Sequence, residues 1–301
     1  MRFRTEIEIK KSSLVLDPEK PVVAVGSCFS QNIATKMNQH LWESINPLGT
    51  LYNPISISRA LTVMLLHENG KEFFETTLFQ DNGIWMSNMF DTGFNSIDRE
   101  DCILEFVNRK KLLEQKLREG QTLVVTFGTS IAYFKKDDGI IVGNCHKQPS
   151  DIFFRERLTI TDITNAWIII VNCLKERFKD LNIIFTVSPV RHLKDTMEGN
   201  SKSKAVLLLS IEKICRDFDF CHYFPAFEII NDDLRDYRFY SSDLVHPSEE
   251  GIEYIWEKFR QAYIDEKGNR LLEEGLSKYK ASQHRPRIGA LGKPLEKGNH
   301  P

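Results

Sequence analysis

Three short runs constrain this chain more than any other feature: Val22-Val23-Ala24-Val25, TLVVTF at 122–127 and NIIFTV at 182–187. Each is almost wholly apolar and rich in β-branched residues, the pattern of a strand buried on both faces. A half-exposed strand would alternate polar and apolar residues instead. Helical patterns separate the runs. Gln31–Trp42 sets Ile33, Met37 and Leu41 four apart on one face. Pro54–His67, Asp98–Arg118, Thr161–Phe178, Lys202–Phe218 and Ser248–Ile264 also read as helices, and Phe220–Phe224 as a further strand. Pro54 suits a first helical turn, Ser248 an N-cap, and Gly120 a C-terminal stop.

Strands alternating with helices predict an α/β fold, a three-layer α/β/α sandwich on a mostly parallel sheet. Two hairpins are inserted, at Leu78–Met86 around Asp81-Asn82-Gly83 and at Ile131–Val142 around Asp137-Asp138-Gly139. The core domain is expected over residues 1–265. A helical extension and a Gly- and Pro-rich flexible tail follow over 266–301. There is no internal repeat.

With 40 Lys+Arg against 42 Asp+Glu, the net charge of -2 supplies no basic field for nucleic acid or for an anionic membrane surface. No apolar run is long enough to span a membrane, and MRFRTEIEIKKSS has no apolar core of a secretory signal. The 6 cysteines form no C-x-x-C pair and read as free thiols of a reducing compartment, which makes the cytoplasm the expected location.

In open α/β sheets, sites form beyond the carboxyl ends of the strands. The residues there are Gly26-Ser27-Cys28, Gly128-Thr129-Ser130, Ser188-Pro189-Val190-Arg191-His192 and, before the last helix, Asp243-Leu244-Val245-His246-Pro247. Ser27 sits where a strand becomes a helix, beside unpaired N–H groups that favour negative charge. It reads either as a nucleophile or as a helix cap. Asp243 and His246 are spaced to face one site, as an orienting acid and a base require, and equally suit a surface loop. Cys28 is a rival nucleophile, but neighbouring residues on such a turn point apart, so Cys28 is expected to pack inward. Cys145, His146 and His192 lack the spacing of metal ligands. No metal or cofactor is expected. His146, Arg191 and His192 read as pocket residues, with Arg191 suited to a carboxylate or phosphate, or to an ion pair with an acid in Asp232–Asp236.

A strand ending in G-S, followed much later by D-x-x-H-P-S before the final helix, resembles the SGNH (GDSL-like) hydrolases. GSCF at 26–29, NPLGTLYNP at 46–54, NCHK at 144–147, SPVRH at 188–192 and DLVHPS at 243–248 are similar to the GSCFA family of that superfamily, and FRTEI, YFPAFEII and LRDYRFY to its Bacteroidetes members. The resemblance implies a flavodoxin-like sandwich with Ser27 as nucleophile, Asp243 as orienting acid and His246 as base. It makes the Ser27 and Gly49 N–H groups oxyanion donors. Where the superfamily has an Asn amide this chain has Ser130, with Asn144 as the substitute donor, and Cys28, His146, Arg191 and His192 line the substrate pocket. The implied activity is hydrolysis of a small-molecule, carbohydrate or lipid ester, such as an O-acetyl group. The alternative is a ligand-binding protein with a degraded oxyanion hole. Oligomeric state is left open.

Overall fold

The computed structural model describes residues 4–283. β1 (Val22–Gly26), α1 (Cys28–Gln39) and the edge strand β2 (Ser44–Ile45) open the fold. α2 (Pro54–Leu61) runs on into a π turn, and α3 (Gly70–Thr76), the hairpin β3–β4 (Leu78–Asp81, Ile84–Ser87) and α4 (Arg99–Gly120) follow. After β5 (Thr122–Phe127), the strands β6 (Ile131–Lys135), β7 (Ile141–Val142) and β8 (Phe153–Arg157) make a small antiparallel sheet. Then come α5 (Ile160–Arg177), β9 (Asn182–Val187), α6 (Thr196–Asp217), β10 (Cys221–Phe224), the short α7 (Ala226–Glu228), α8 (Glu249–Tyr263) and α9 (Glu266–Gln283).

The central sheet has the order β10-β9-β5-β1-β2, and every pairing is parallel. Alternate residues of each strand face opposite layers, as the two-residue period demands. Val23, Val25, Leu123, Val125, Ile183 and Phe185 pack with residues of α2, α4, α5 and α6. Val22, Ala24, Val124 and Ile184 pack with residues of α1, α8 and α9. This is the expected three-layer α/β/α sandwich, and it explains why these strands carry so few polar residues. The chain order of the strands across the sheet reverses between β1 and β5, so a crevice opens above their carboxyl ends.

Several short elements escaped the sequence, the three-residue α7 among them. β2 is 2 residues long, β8 is mostly exposed and polar, and α3 is a short helix behind Asn69. α6 begins at Thr196 rather than Lys202, because Asn200, Ser203 and Lys204 are buried polar residues that mask its apolar stripe. α4 is stopped by Gln121 in the left-handed region at φ 57°, not by Gly120. Gly120 serves close approach instead: a Cβ there would lie 1.7 Å from the Pro21 carbonyl oxygen.

α9 docks on α1 and α8 through Leu272, whose carbonyl accepts from His40 Nδ1 at 2.9 Å while Trp256 Nε1 donates to His40 Nε2 at 3.0 Å. The flexible tail expected from the composition lies, beyond residue 283, outside the described residues. Among the described residues no helix is long and apolar enough to cross a membrane.

Candidate functional site

The site begins where β1 ends. Gly26 pairs with Thr126 of β5 and has φ +122°, and a Cβ there would sit 2.1 Å from the Thr126 carbonyl oxygen. Only glycine fits such a turn. The turn directs the next two side chains oppositely to the sequence expectation. Ser27 is the extended N-cap of α1 but caps nothing with its side chain. It is 1% exposed, its Oγ has no hydrogen-bond partner among the described residues, and a Cβ on Gly128 would lie 3.1 Å from its own Cβ. Cys28, the first residue of α1, faces outward into a cavity of about 580 Å³. Its Sγ lies 3.9 Å from His246 Nε2. Among the described residues no hydrogen bond joins Ser27 to His246, and it is Cys28, not Ser27, that lines the cavity with His246 rather than packing inward.

Cys28 sits among opposing influences. Burial pushes its thiol up, while the buried cation Lys204 and the backbone N–H groups of Phe29 and Cys28 pull it down, and the net direction is upward. The resting group is thus the protonated thiol at neutral pH, with helix-start amides beside the sulfur.

The loop before α8 delivers His246. The Tyr240–Pro247 bridge closes its base, Leu244 takes φ 62°, and Ser248 Oγ accepts from Gly251 N to start the helix. Asp243 Oδ1 accepts the Val245 and His246 N–H groups at 3.0 Å each, and its Oδ2 lies 2.6 Å from His246 Nδ1. Those backbone bonds, together with the imidazole, hold the Asp243 carboxyl down at about 2. An ionised Asp243 requires the proton on Nδ1, which leaves the Nε2 lone pair toward Cys28.

The cavity is walled by Tyr52, Thr129, the strip from Val142 to Cys145, Arg155 and residues 190–195. His192 stacks edge-on against Tyr52 at 5.7 Å. Burial first, then the nearby Lys204, His246 and Arg155, lower it to about 4, so it is neutral at physiological pH. Arg191 donates to the amide oxygen of Asn231 at 2.8 Å rather than to an acid in Asp232–Asp236.

Other expected positions fall elsewhere. Ser130 is fully buried, with its N and Oγ bonded to Ser203 Oγ at 2.8 and 3.1 Å, so it points into α6 rather than into the cavity. Gly49 turns at φ +71° against the Asp91 carboxylate and is not part of the cavity wall. His146 is turned away, its Nε2 2.8 Å from the Ser87 carbonyl. Asn144 does line the cavity. Its Oδ1 accepts from His146 N at 2.8 Å, and no hydrogen bond among the described residues takes up its Nδ2.

Lys204 was missed. Its side chain is fully buried, and Nζ donates to the carbonyls of Gly128 and Ser188 at 2.6 and 2.7 Å, joining the ends of β5 and β9. Burial, with Arg191 nearby, lowers it to about 7. The signal was present: Lys204 falls in phase with Leu207, Ile211 and Ile214 on the buried face of α6. Among the described residues no group of three or more His, Cys, Asp or Glu is gathered as a metal would need.

Comparison with known proteins finds no match among curated proteins. A protein-family model, described as the GSCFA family, matches residues 21–259, from the first strand through most of α8. The match takes in Cys28, Asp243 and His246 alike and covers most of the chain, which therefore belongs to the GSCFA family.

Proposed function

We propose that this protein is an ester hydrolase that works through a thiol acyl-enzyme, with Cys28 as nucleophile, His246 as base and Asp243 as the group that orients the base. The observation that carries the reading is the 3.9 Å approach of Cys28 Sγ to His246 Nε2, with His246 Nδ1 held 2.6 Å from Asp243. It keeps the reaction class, base and acid that the sequence suggested and exchanges the nucleophile.

His246 Nε2 takes the Cys28 proton as sulfur attacks the acyl carbon and the carbonyl electrons move onto oxygen. The oxyanion forms against the unpaired N–H groups at the start of α1, with the free Asn144 Nδ2 as the side-chain donor. Collapse breaks the ester C–O bond, and the imidazolium gives its proton to the leaving alkoxide. Water then attacks the thioester, His246 takes its proton, and the acid leaves as the thiolate is reprotonated. Because burial keeps the thiol protonated, His246 acts as a general base in the first step. A missing oxyanion donor costs about 3 kcal/mol of barrier, so a weak third donor makes a slow enzyme rather than an inert one.

A second reading, a ligand-binding protein without turnover, is favoured by one observation: Ser130 and Gly49 offer the cavity no donor. One experiment separates them. Purified protein is mixed with p-nitrophenyl acetate, quenched in acid and mapped by mass spectrometry. An acetyl group on Cys28, released by hydroxylamine, supports the hydrolase. Acetylation absent from both Cys28 and Ser27, with no nitrophenol released, leaves the binding reading.

A further inference from the structure

The cavity wall carries more positive charge than its own acids neutralise. Arg155, Arg191 and Lys194 line it, and Asp195 is the one carboxylate among its lining residues. Asp195 is already paired with Arg155. The other two cations have only neutral partners: Arg191 donates to the Asn231 amide oxygen at 2.8 Å, and Lys194 Nζ reaches the Tyr133 hydroxyl at 2.9 Å. Neither makes an ion pair among the described residues. A half-buried guanidinium without a counter-charge has lost hydration that an anion would restore. Arg191 and Lys194 both come from the loop after β9, and the paired Arg155 from β8, so no solvated helix face explains their convergence.

We propose that this cavity recognises an organic anion, a carboxylate or phosphate group on the ligand, through Arg191 and Lys194. A free phosphate ion would fill only a small part of about 580 Å³, and Ile131, Val142 and Val190 supply apolar wall for the rest of the molecule. Under the acyl-transfer reading, whose cavity this is, the substrate is an ester that bears an anionic group and lies with its carbonyl at Cys28. Binding itself needs no turnover, so loss of that reading leaves the anion site in place.

The test is thermal unfolding of the full chain with inorganic phosphate or succinate, against sodium chloride of equal ionic strength. Either anion should raise Tm beyond the chloride control. Arg191→Gln and the exposed Lys194→Gln should each weaken that response roughly tenfold in half-saturating concentration, the size of one charge-assisted bond. Response to succinate alone assigns a carboxylate, and response to phosphate alone a phosphate. A second measurement compares alkylation of Cys28 by iodoacetate and iodoacetamide, read by mass spectrometry. The anionic reagent should gain in relative rate over a free thiol, and Lys194→Gln should reduce the gain. No Tm response beyond chloride, or variants that respond as wild type in both measurements, overturns the proposal. Failure of the acyl-enzyme experiment does not.

Discussion

Cys28 Sγ lies 3.9 Å from His246 Nε2, while the hydroxyl of the adjacent Ser27 is buried beside Gly128 with no hydrogen-bond partner among the described residues. Adjacent residues with opposite exposure decide which chemistry the site can support. A thiol at this position makes a weaker bond to the imidazole than a hydroxyl would, but it is the better nucleophile once its proton has moved.

Cys28→Ala therefore abolishes release of nitrophenol from p-nitrophenyl acetate, whereas Ser27→Ala retains at least about half the wild-type rate. Removing an unpartnered buried hydroxyl leaves stability within about 1 kcal/mol of wild type, checked by urea denaturation. Activity that survives in Cys28→Ala and is lost in Ser27→Ala would reverse the assignment.

Asp243→Asn leaves the loop but no longer requires the proton on His246 Nδ1. Turnover should fall on the order of a thousandfold. In the wild type Asp243 stays ionised down to about pH 2, so activity lost on the acid side above pH 4 belongs to another group. A steady-state pH profile of both proteins reads this, and a variant within tenfold of wild type would remove Asp243 from the orienting role.

Lys204→Met leaves the Gly128 and Ser188 carbonyls without their donor, and stability at pH 7 should fall by about 2 kcal/mol. Lys204 titrates near 7 when folded, against its ordinary 10.5. Between these values the unfolded chain binds more protons, so the contribution of Lys204 grows as pH rises from 7 toward 10 and is least below 7. Urea denaturation at pH 7 and pH 9.5 should show the gap between wild type and variant widening. A gap that narrows contradicts a Lys204 ammonium that burial has made easier to deprotonate.

Gly26→Ala puts a methyl group into the Thr126 carbonyl at a backbone angle that side chains rarely adopt. Because the obstacle is backbone of the neighbouring strand, relaxation would have to separate β1 from β5. A loss of more than about 2 kcal/mol is expected. Soluble protein with wild-type Tm would show that the turn can rearrange.

The parallel sheet was legible because burial on both faces forces continuous apolar runs, and VVAVG, TLVVTF and NIIFTV can do little else. DLVHPS was legible for a similar reason: its turn, its carboxylate and its helix start are all local, and the Asp243–His246 contact spans 3 residues. β2 and β8 were not, since their partners rather than their own patterns hold them.

What the sequence by itself determined is the layered sheet and the Asp243–His246 contact, because both follow from local periodicity and near-neighbour spacing. Only the tertiary structure decided which of Ser27 and Cys28 meets His246. The side-chain phase is reset at Gly26, and that reset depends on how closely β1 lies against Thr126 of β5. The same holds for Lys204, whose burial makes sense only once the ends of β5 and β9 present two carbonyls to it, and for the cations that converge from β8 and the loop after β9. Such contacts join residues far apart in the chain, and no local pattern encodes them.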